Sequence, residues 1–260
     1  SNLDIHNSVL DFEQKFKIKS GEVTNYFEAE LKNIKVKRYE TGFLTVKGSL
    51  HKFFNSGDHN ANEFNVRNLK MSLLELSKLI NSPLDKIELQ NIEIGFNLEV
   101  SFKTRDALDG FLYHKGKVPE TRFNGFYKEF KHLDYSIKLY DKAYHYGLKN
   151  GLFRCELKAI KSRWFNREFH IHSMADLLYV QNLTRAKNVL IQKIEEVIQC
   201  YPLKVESFPS CEWTDANYWR KLSKQKRHEE RKSFEIWKSK NVPEMPPLRE
   251  LIENKFQCLT

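Results

Sequence analysis

The residue pattern predicts an α+β protein: a central, mainly antiparallel sheet with helices on one face, plus a C-terminal helical appendage. Three observations carry this. Apolar and polar residues alternate with period 2 in several segments before residue 160. Most of these segments are joined by turn-like loops or short helices, which is the connectivity of antiparallel pairing. From Trp213 to Trp237 the alternation gives way to a highly charged helical run.

Taken in order, Leu31–Tyr39 sets Ile34, Val36 and Arg38 against Lys35 and Lys37, a strand pattern. Gly42–Phe54 sets Leu44, Val46, Gly48 and Leu50 against Thr45, Lys47, Ser49 and His51, and is predicted as one strand. Residues 55–60 form a turn by composition. A helix is expected over Val66–Ile80, with Leu69, Leu73, Leu76 and Ile80 on one face and a stop before Ser82-Pro83. Ile87–Phe102 is a long strand, and Arg105–Leu112 a short helix. Thr121–Phe130 and Tyr135–Asp141 are expected to pair as a hairpin, with a further strand at Leu152–Ile160. Helices follow at Met174–Val180 and Thr184–Tyr201. The Pro202–Pro209 stretch suggests a boundary near 205, giving domains 1–205 and 206–260.

Composition narrows the classes. A chain of 260 residues with 40% hydrophobic residues, 19 Phe and 11 Tyr can build a core and is not a disordered chain. No stretch approaches 18 consecutive apolar residues, so no transmembrane helix and no membrane partner are expected. The first residues lack the basic and apolar regions of a signal peptide, and four scattered Cys make no C-x-x-C pair. A reducing, cytoplasmic setting is the expectation, with Cys155 a small core residue. Lys and Arg total 43 against 34 acidic residues. The excess is concentrated: ten against five over Tyr127–Phe169, and seven against two over Arg220–Lys232. Cations interleaved with Tyr, Trp and Phe suit nucleic acid, and suit a solvated basic surface equally well.

Three strands carry polar side chains that alternation assigns to one face. Glu93 opposes Ile92 and Ile94; Lys138, Tyr140 and Lys142 oppose Ile137 and Leu139; Arg154, Glu156 and Lys158 oppose Phe153, Cys155 and Leu157. If the strands are neighbours, two carboxylates, a phenol and several cations share a surface. That set suits phosphoryl transfer with a Tyr nucleophile assisted by Mg²⁺ or Mn²⁺. It also describes an ordinary solvated sheet face.

Four segments, in order, resemble the phage and plasmid rolling-circle replication initiators of Bacteroidetes-type phages and mobile elements. They are Gly48–Asn55 (GSLHKFFN), Asn91–Asn97 (NIEIGFN), Tyr135–Lys142 (YSIKLYDK) and Leu152–Lys158 (LFRCELK), and the likeness spans roughly residues 45–205. The tandem Y-D-K then R-x-E-L-K is its most diagnostic part. The resemblance implies an enzyme that nicks one DNA strand at an origin, stays joined to the 5′ phosphate through tyrosine, and later rejoins the strand. By position it implies Tyr140 as nucleophile and Glu93 and Glu156 as carboxylates for Mg²⁺ or Mn²⁺. Lys138 and Lys142 would be phosphate neighbours, and Arg154 a phosphate contact or partner of Glu156. Asn91 stands where that family often has Arg. Tyr127, Tyr135, Tyr144 and Tyr146 remain alternatives to Tyr140.

Lys158, Lys161 and Arg163 extend the basic surface, and Arg220, Lys221, Lys224, Lys226 and Arg227 on the tail would hold duplex. Expected partners are single-stranded and duplex origin DNA, with a host helicase and a second copy of the chain as further options, all in a bacterial cytoplasm. A competing scheme comes from His170-Ile171-His172, which resembles the H-U-H motif of another rolling-circle nuclease class. That resemblance implies two metal-binding His on a strand and Tyr179 attacking, whereas the position between the basic Lys161–Arg167 stretch and a helix capped by Ser173 reads as a linker. The other readings of the chain are a DNA-binding protein without catalysis and a hydrolytic metal-dependent nuclease.

Overall fold

The computed structural model describes residues 10–20, 22–148, 151–200, 211–241 and 248–260. It is an α+β protein with antiparallel sheets, and it divides into two compact units. The first comprises residues up to 89, with 172–180 and 259–260; the second comprises 90–171 and 181–258. The tail helices therefore belong to the second unit, and the division does not follow the expected domains 1–205 and 206–260. The boundary residue 205 itself lies outside the described residues.

The first unit contains a four-stranded sheet, β1 (Glu13–Lys19), β2 (Glu22–Leu31), β3 (Ile34–Tyr39) and β4 (Leu44–Lys47), in sequential order. β1 and β2 are strands that the alternation rule did not bring out. The expected strand Gly42–Phe54 is corrected: it ends at Lys47, and Leu50–Phe54 is a short helix, α1. The side chain of Ser49 accepts a hydrogen bond from the Lys52 amide, and such a cap outweighs the weak preference that alternation gives beyond Lys47. Helix α2 (Val66–Leu79) is capped by Asn65, whose side chain accepts from the Asn68 amide at 2.9 Å, and it buries Leu73 and Leu76.

The second unit is built on a five-stranded sheet of order β5-β10-β9-β8-β7, antiparallel throughout. Its strands are β5 (Ile92–Glu99), then, after helix α3 (Thr104–Asp109) and the short β6 (Phe111–Tyr113), β7 (Glu120–Arg122), β8 (Tyr127–Lys131) and β9 (Tyr135–Asp141). Helix α4 (Lys142–Tyr146) leads to the central strand β10 (Leu152–Ala159). The expected hairpin with Tyr135–Asp141 is present, but its first strand, expected over Thr121–Phe130, is broken by a 3-10 turn at Phe123–Gly125, and only β8 pairs with β9. Helices α5 (Ser162–Phe169) and α6 (Val180–Glu195) follow, then β11 (Ile198–Gln199), which pairs with β6. Helices α7 (Ala216–Lys221), α8 (Lys224–Asn241) and α9 (Leu248–Leu259) complete the chain.

One face of the five-stranded sheet is core. Phe96, Leu98, Ile137, Leu139, Phe153, Cys155, Leu157 and Phe130 are all buried, as period 2 requires. The tail's aromatic residues are core as well: Trp213, Trp219 and Phe234 pack with Leu112, Tyr113, Ile198 and Cys200. Arg227 donates to the carbonyl oxygens of Trp219 and Leu222 and lies 4.8 Å from the centre of the Tyr113 ring, closing the end of α7.

A half-buried polar chain centred on the buried His114 joins the end of β6, the β8–β9 turn and the end of α6. His114 contacts His132 at 2.8 Å through Nδ1 and Glu196 at 3.2 Å through Nε2. The Glu196 carboxylate accepts, so His114 carries its proton on Nε2 and His132 donates to Nδ1.

Leu157 is fully buried at the centre of the sheet. Leu157→Ala is expected to lower the unfolding free energy by about 2–5 kcal/mol, measured by urea denaturation with an unchanged m-value.

Candidate active site on the polar sheet face

The register brings the polar residues of the three strands together, except Lys142, which alternation assigned to the β9 face and which instead starts helix α4. Glu156 on β10 lies opposite Gly95 of β5 and Lys138 of β9; Arg154 lies opposite Asn97 and Tyr140; Lys158 lies opposite Glu93 and Ser136. Cross-strand partners share a face, so Glu93, Arg154, Glu156, Lys158, Lys138 and Tyr140 project from one surface, as alternation predicted. Tyr127 and Glu129 extend it, because Tyr127 pairs with Tyr140 and Glu129 with Lys138.

Glu156 is the hub. Its side chain retains 4% of its exposure, and three donors converge on it. The Tyr140 hydroxyl donates to Oε1 at 2.9 Å, the Arg154 Nε donates to the same oxygen, and the Lys138 ammonium reaches Oε2 at 3.4 Å. Lys138 also donates to Glu93 Oε2 at 2.5 Å, so one ammonium bridges both carboxylates. Arg154 reaches on to the Asn97 side-chain oxygen at 2.7 Å, which also accepts from Lys142 at 3.2 Å. Lys142 is 1% exposed, an ammonium drawn down to the sheet from the first turn of α4.

Gly95 makes the hub possible. A Cβ there would lie 2.6 Å from the Glu156 Cγ and 3.1 Å from the Arg154 guanidinium. The strand therefore needs a residue without a side chain opposite the crowded carboxylate. Alternation assigns Gly95 only to a face, and its role becomes visible with the register. Asp141, between the site residues Tyr140 and Lys142, is structural: it caps α4 by accepting from the Tyr144 amide at 2.8 Å and accepts from the Thr104 hydroxyl.

Protonation follows from this arrangement. Burial alone would raise the Glu156 carboxyl, but Arg154 and then Lys138 outweigh it and hold it down at about 2. Glu93 moves the other way: burial and the neighbouring Glu156 charge raise it against the pull of Lys138. Burial, and then the Glu156 carboxylate, push the Tyr140 phenol well above its usual value. Lys138 serves the two carboxylates, and Tyr140 is a hydrogen-bond donor with its proton in place. Tyr127 is raised in the same way, by burial and by Glu129, to which its hydroxyl donates at 3.1 Å.

Glu93 and Glu156 are oxygen donors of the kind a hard divalent ion takes. Glu93 and Glu156 both reach one ammonium, and hence one cation of that position, and Mg²⁺ commonly takes one or two carboxylates with water and phosphate completing its shell. Lys138 stands at that position, so ion and ammonium compete for it. No cluster of three or more His, Cys, Asp and Glu side chains suited to a metal ion occurs among the described residues.

The other expected site residues divide. Lys158 is half-buried on the polar face, and Lys161 and Arg163 are exposed at the start of α5, with Arg163 3.5 Å from Asp134. On the tail Arg220, Lys221, Lys224 and Lys226 are exposed, whereas Arg227 is committed to backbone carbonyls and leaves the nucleic-acid set. His170 caps α5 in a left-handed conformation and His172 precedes a 3-10 turn; neither lies in a strand, so the alternation that would pair their imidazoles is lost. Tyr135 is buried on the core face, stacked on Trp164 at 4.8 Å.

No family model, curated protein or solved structure matches the chain. No helix among the described residues is long and apolar enough to cross a membrane.

Because the Glu156 carboxyl is lower in the folded protein than its ordinary 4.5, its stabilisation is complete above about pH 4.5 and is lost as pH falls towards about 2. Denaturation measured from pH 7 to 2 should show this loss in the wild type, and its absence in Glu156→Gln. At pH 7 that variant should be less stable by about 3–5 kcal/mol, because Arg154 loses its buried partner.

Proposed function

We propose that the polar sheet face is the active site of a DNA strand-nicking and rejoining enzyme of the rolling-circle initiator kind, with Tyr140 as nucleophile. The single observation that carries this reading is the Tyr140 hydroxyl donating at 2.9 Å to a buried carboxylate that is itself held by Arg154 and Lys138. A tyrosine, a proton acceptor and cations within contact of one another are what a phosphodiester exchange requires.

In that reaction the Tyr140 oxygen attacks the phosphorus of a scissile phosphate. A phosphotyrosine bond forms, the bond to the 3′ oxygen breaks, and the 3′ hydroxyl is released. The phenol proton moves to Glu156 as attack proceeds, since the resting phenol is protonated and Glu156 is its hydrogen-bond acceptor. Glu93, the carboxyl of the pair that holds a proton more readily, suits protonation of the leaving oxygen. Attack of a 3′ hydroxyl on the phosphotyrosine reverses the sequence and rejoins the strand. Lys138, Lys142 and Arg154 supply positive charge beside the phosphate. In a metal-bound form Glu93 and Glu156 would instead hold Mg²⁺ or Mn²⁺ as carboxylates in place of the Lys138 ammonium, the ion would neutralise phosphate charge, and the leaving oxygen would take its proton from water. The exposed cations of α7 and α8 are the proposed duplex contact, with a host helicase and a second copy of the chain as proposed partners.

The test is incubation with single-stranded origin oligonucleotides and Mn²⁺, followed by denaturing electrophoresis. A protein–DNA band should form with the wild type and vanish with Tyr140→Phe, whose fold and DNA affinity should persist. Free 5′-phosphate ends without an adduct would instead indicate a hydrolytic nuclease, and binding without cleavage a DNA-binding protein.

Neutralising Arg220, Lys221, Lys224 and Lys226 should weaken duplex binding and flatten its dependence on salt. For every cation that no longer meets a phosphate, the log–log slope should fall by about 0.9, read from titrations at several salt concentrations.

A further inference from the structure

We infer that the aromatic side chains of the 3-10 turn Phe123–Gly125, the start of β8 and helix α4 form a stacking platform for the bases of a single strand beside Tyr140. This rests on the reading of the polar face as a phosphodiester site, and names the part of the substrate that reading leaves open.

A run of rings leads away from Tyr140. Its centroid lies 5.6 Å from Tyr127, Tyr127 lies 6.0 Å from Phe123, and Phe123 lies 6.3 Å from His145. Beside this run Tyr144 stacks on Phe126 at 4.0 Å. Three rings are turned to solvent: Phe123 is 57% exposed, Tyr144 50%, and His145 is exposed as well. Cations flank the others, with Arg122 5.6 Å from Tyr127 and Arg105 5.5 Å from Phe126. Arg105 lies against Gly125, where a Cβ would come within 2.2 Å of the guanidinium carbon.

The backbone holds Phe123 outward at a cost. Phe123 has φ 52°, Asn124 φ 53° and Gly125 φ 91°, three successive left-handed residues, and a bulky aromatic residue rarely adopts this conformation. A large apolar ring that is both exposed and borne on strained backbone gains nothing for folding, and such strain clusters at ligand clamps. Aromatic faces accept any base, and the two guanidinium groups, paired with Glu120 at 2.6 Å (Arg122) and Asp109 at 3.0 Å (Arg105), hold the rings they lie over in place.

The ring orientations select the partner. Successive ring planes turn by 36°, 89° and 58°, so bases stacked on them cannot share one parallel column. The platform therefore suits an unstacked single strand whose bases turn independently, whereas a duplex holds its bases parallel.

The test is equilibrium binding of dye-labelled 12-nucleotide oligonucleotides to the full chain in EDTA. Phe123→Ala and Tyr144→Ala should each weaken binding of the single strand by roughly 5- to 100-fold, with melting temperature unchanged and Phe123→Trp restoring affinity. Wild type should bind an abasic oligonucleotide of the same length more weakly by a similar factor. The double variant should bind the base-bearing and abasic strands equally. Unaltered affinity in both Ala variants, or base discrimination that persists in the double variant, would overturn the inference. So would a concentration-dependent doubling of mass abolished by Phe123→Ala, which would make the rings an interface between copies. Ring-dependent binding without a covalent adduct would leave this inference standing and remove the nicking reaction. An adduct with ring-independent binding would do the opposite.

Discussion

The buried carboxylate of Glu156 is the constraint around which the polar sheet face is arranged. A charge this deep in a sheet is tolerated only with partners in contact, and each partner comes from a different position in the register. Arg154 is two residues away on the same strand, Lys138 and Tyr140 are on β9, and the space to seat the side chain comes from Gly95 on β5. The central strand β10 is therefore fixed on both faces, by apolar packing of Phe153, Cys155 and Leu157 below and by this charge network above. A one-residue slip would place Glu156 in the core and Cys155 in the network.

The same network explains why the two carboxylates differ. Glu156 has two cations and a phenol as donors and remains ionised; Glu93 shares one ammonium and sits beside a fixed negative charge. Opposed environments for neighbouring carboxyl groups are a recurrent route to a division between proton acceptor and proton donor. Tyr140 gains orientation from Glu156 at the expense of acidity, so a nucleophilic role depends on deprotonation coupled to attack. The hairpin of β8 and β9 adds the neighbouring Tyr127–Glu129 pair, and Asp141 starts α4 directly at the end of the strand, which ties the aromatic edge to the polar face.

Much of the site was legible in the sequence because strand parity is a local rule. Ile137 and Leu139 declare one face of β9 and thereby place Lys138 and Tyr140 on the other. The same rule misled at Gly42–Phe54, where alternation continued through a Ser cap into a helix. The tail shows a different limit. Its Trp and Phe residues among cations have the composition of a nucleic-acid surface, yet Trp213, Trp219 and Phe234 are core, and Arg227 closes a helix end. Composition reports which groups are present and not which way they face.

Local pattern was sufficient for the main strands of the second unit, the apolar face of each, and the residues that alternate away from it. These depend on the two-residue period of a strand, which needs no partner to be read. Only the folded chain reveals that β10 lies between β5 and β9, that Lys138 bridges two carboxylates, and that Gly95 leaves room for Glu156. The protonation of Tyr140 and the outward Phe123 belong to the same group of features. Strand order, register and burial arise from contacts between residues distant in the chain, and charge energies depend on the distances and dielectric those contacts create.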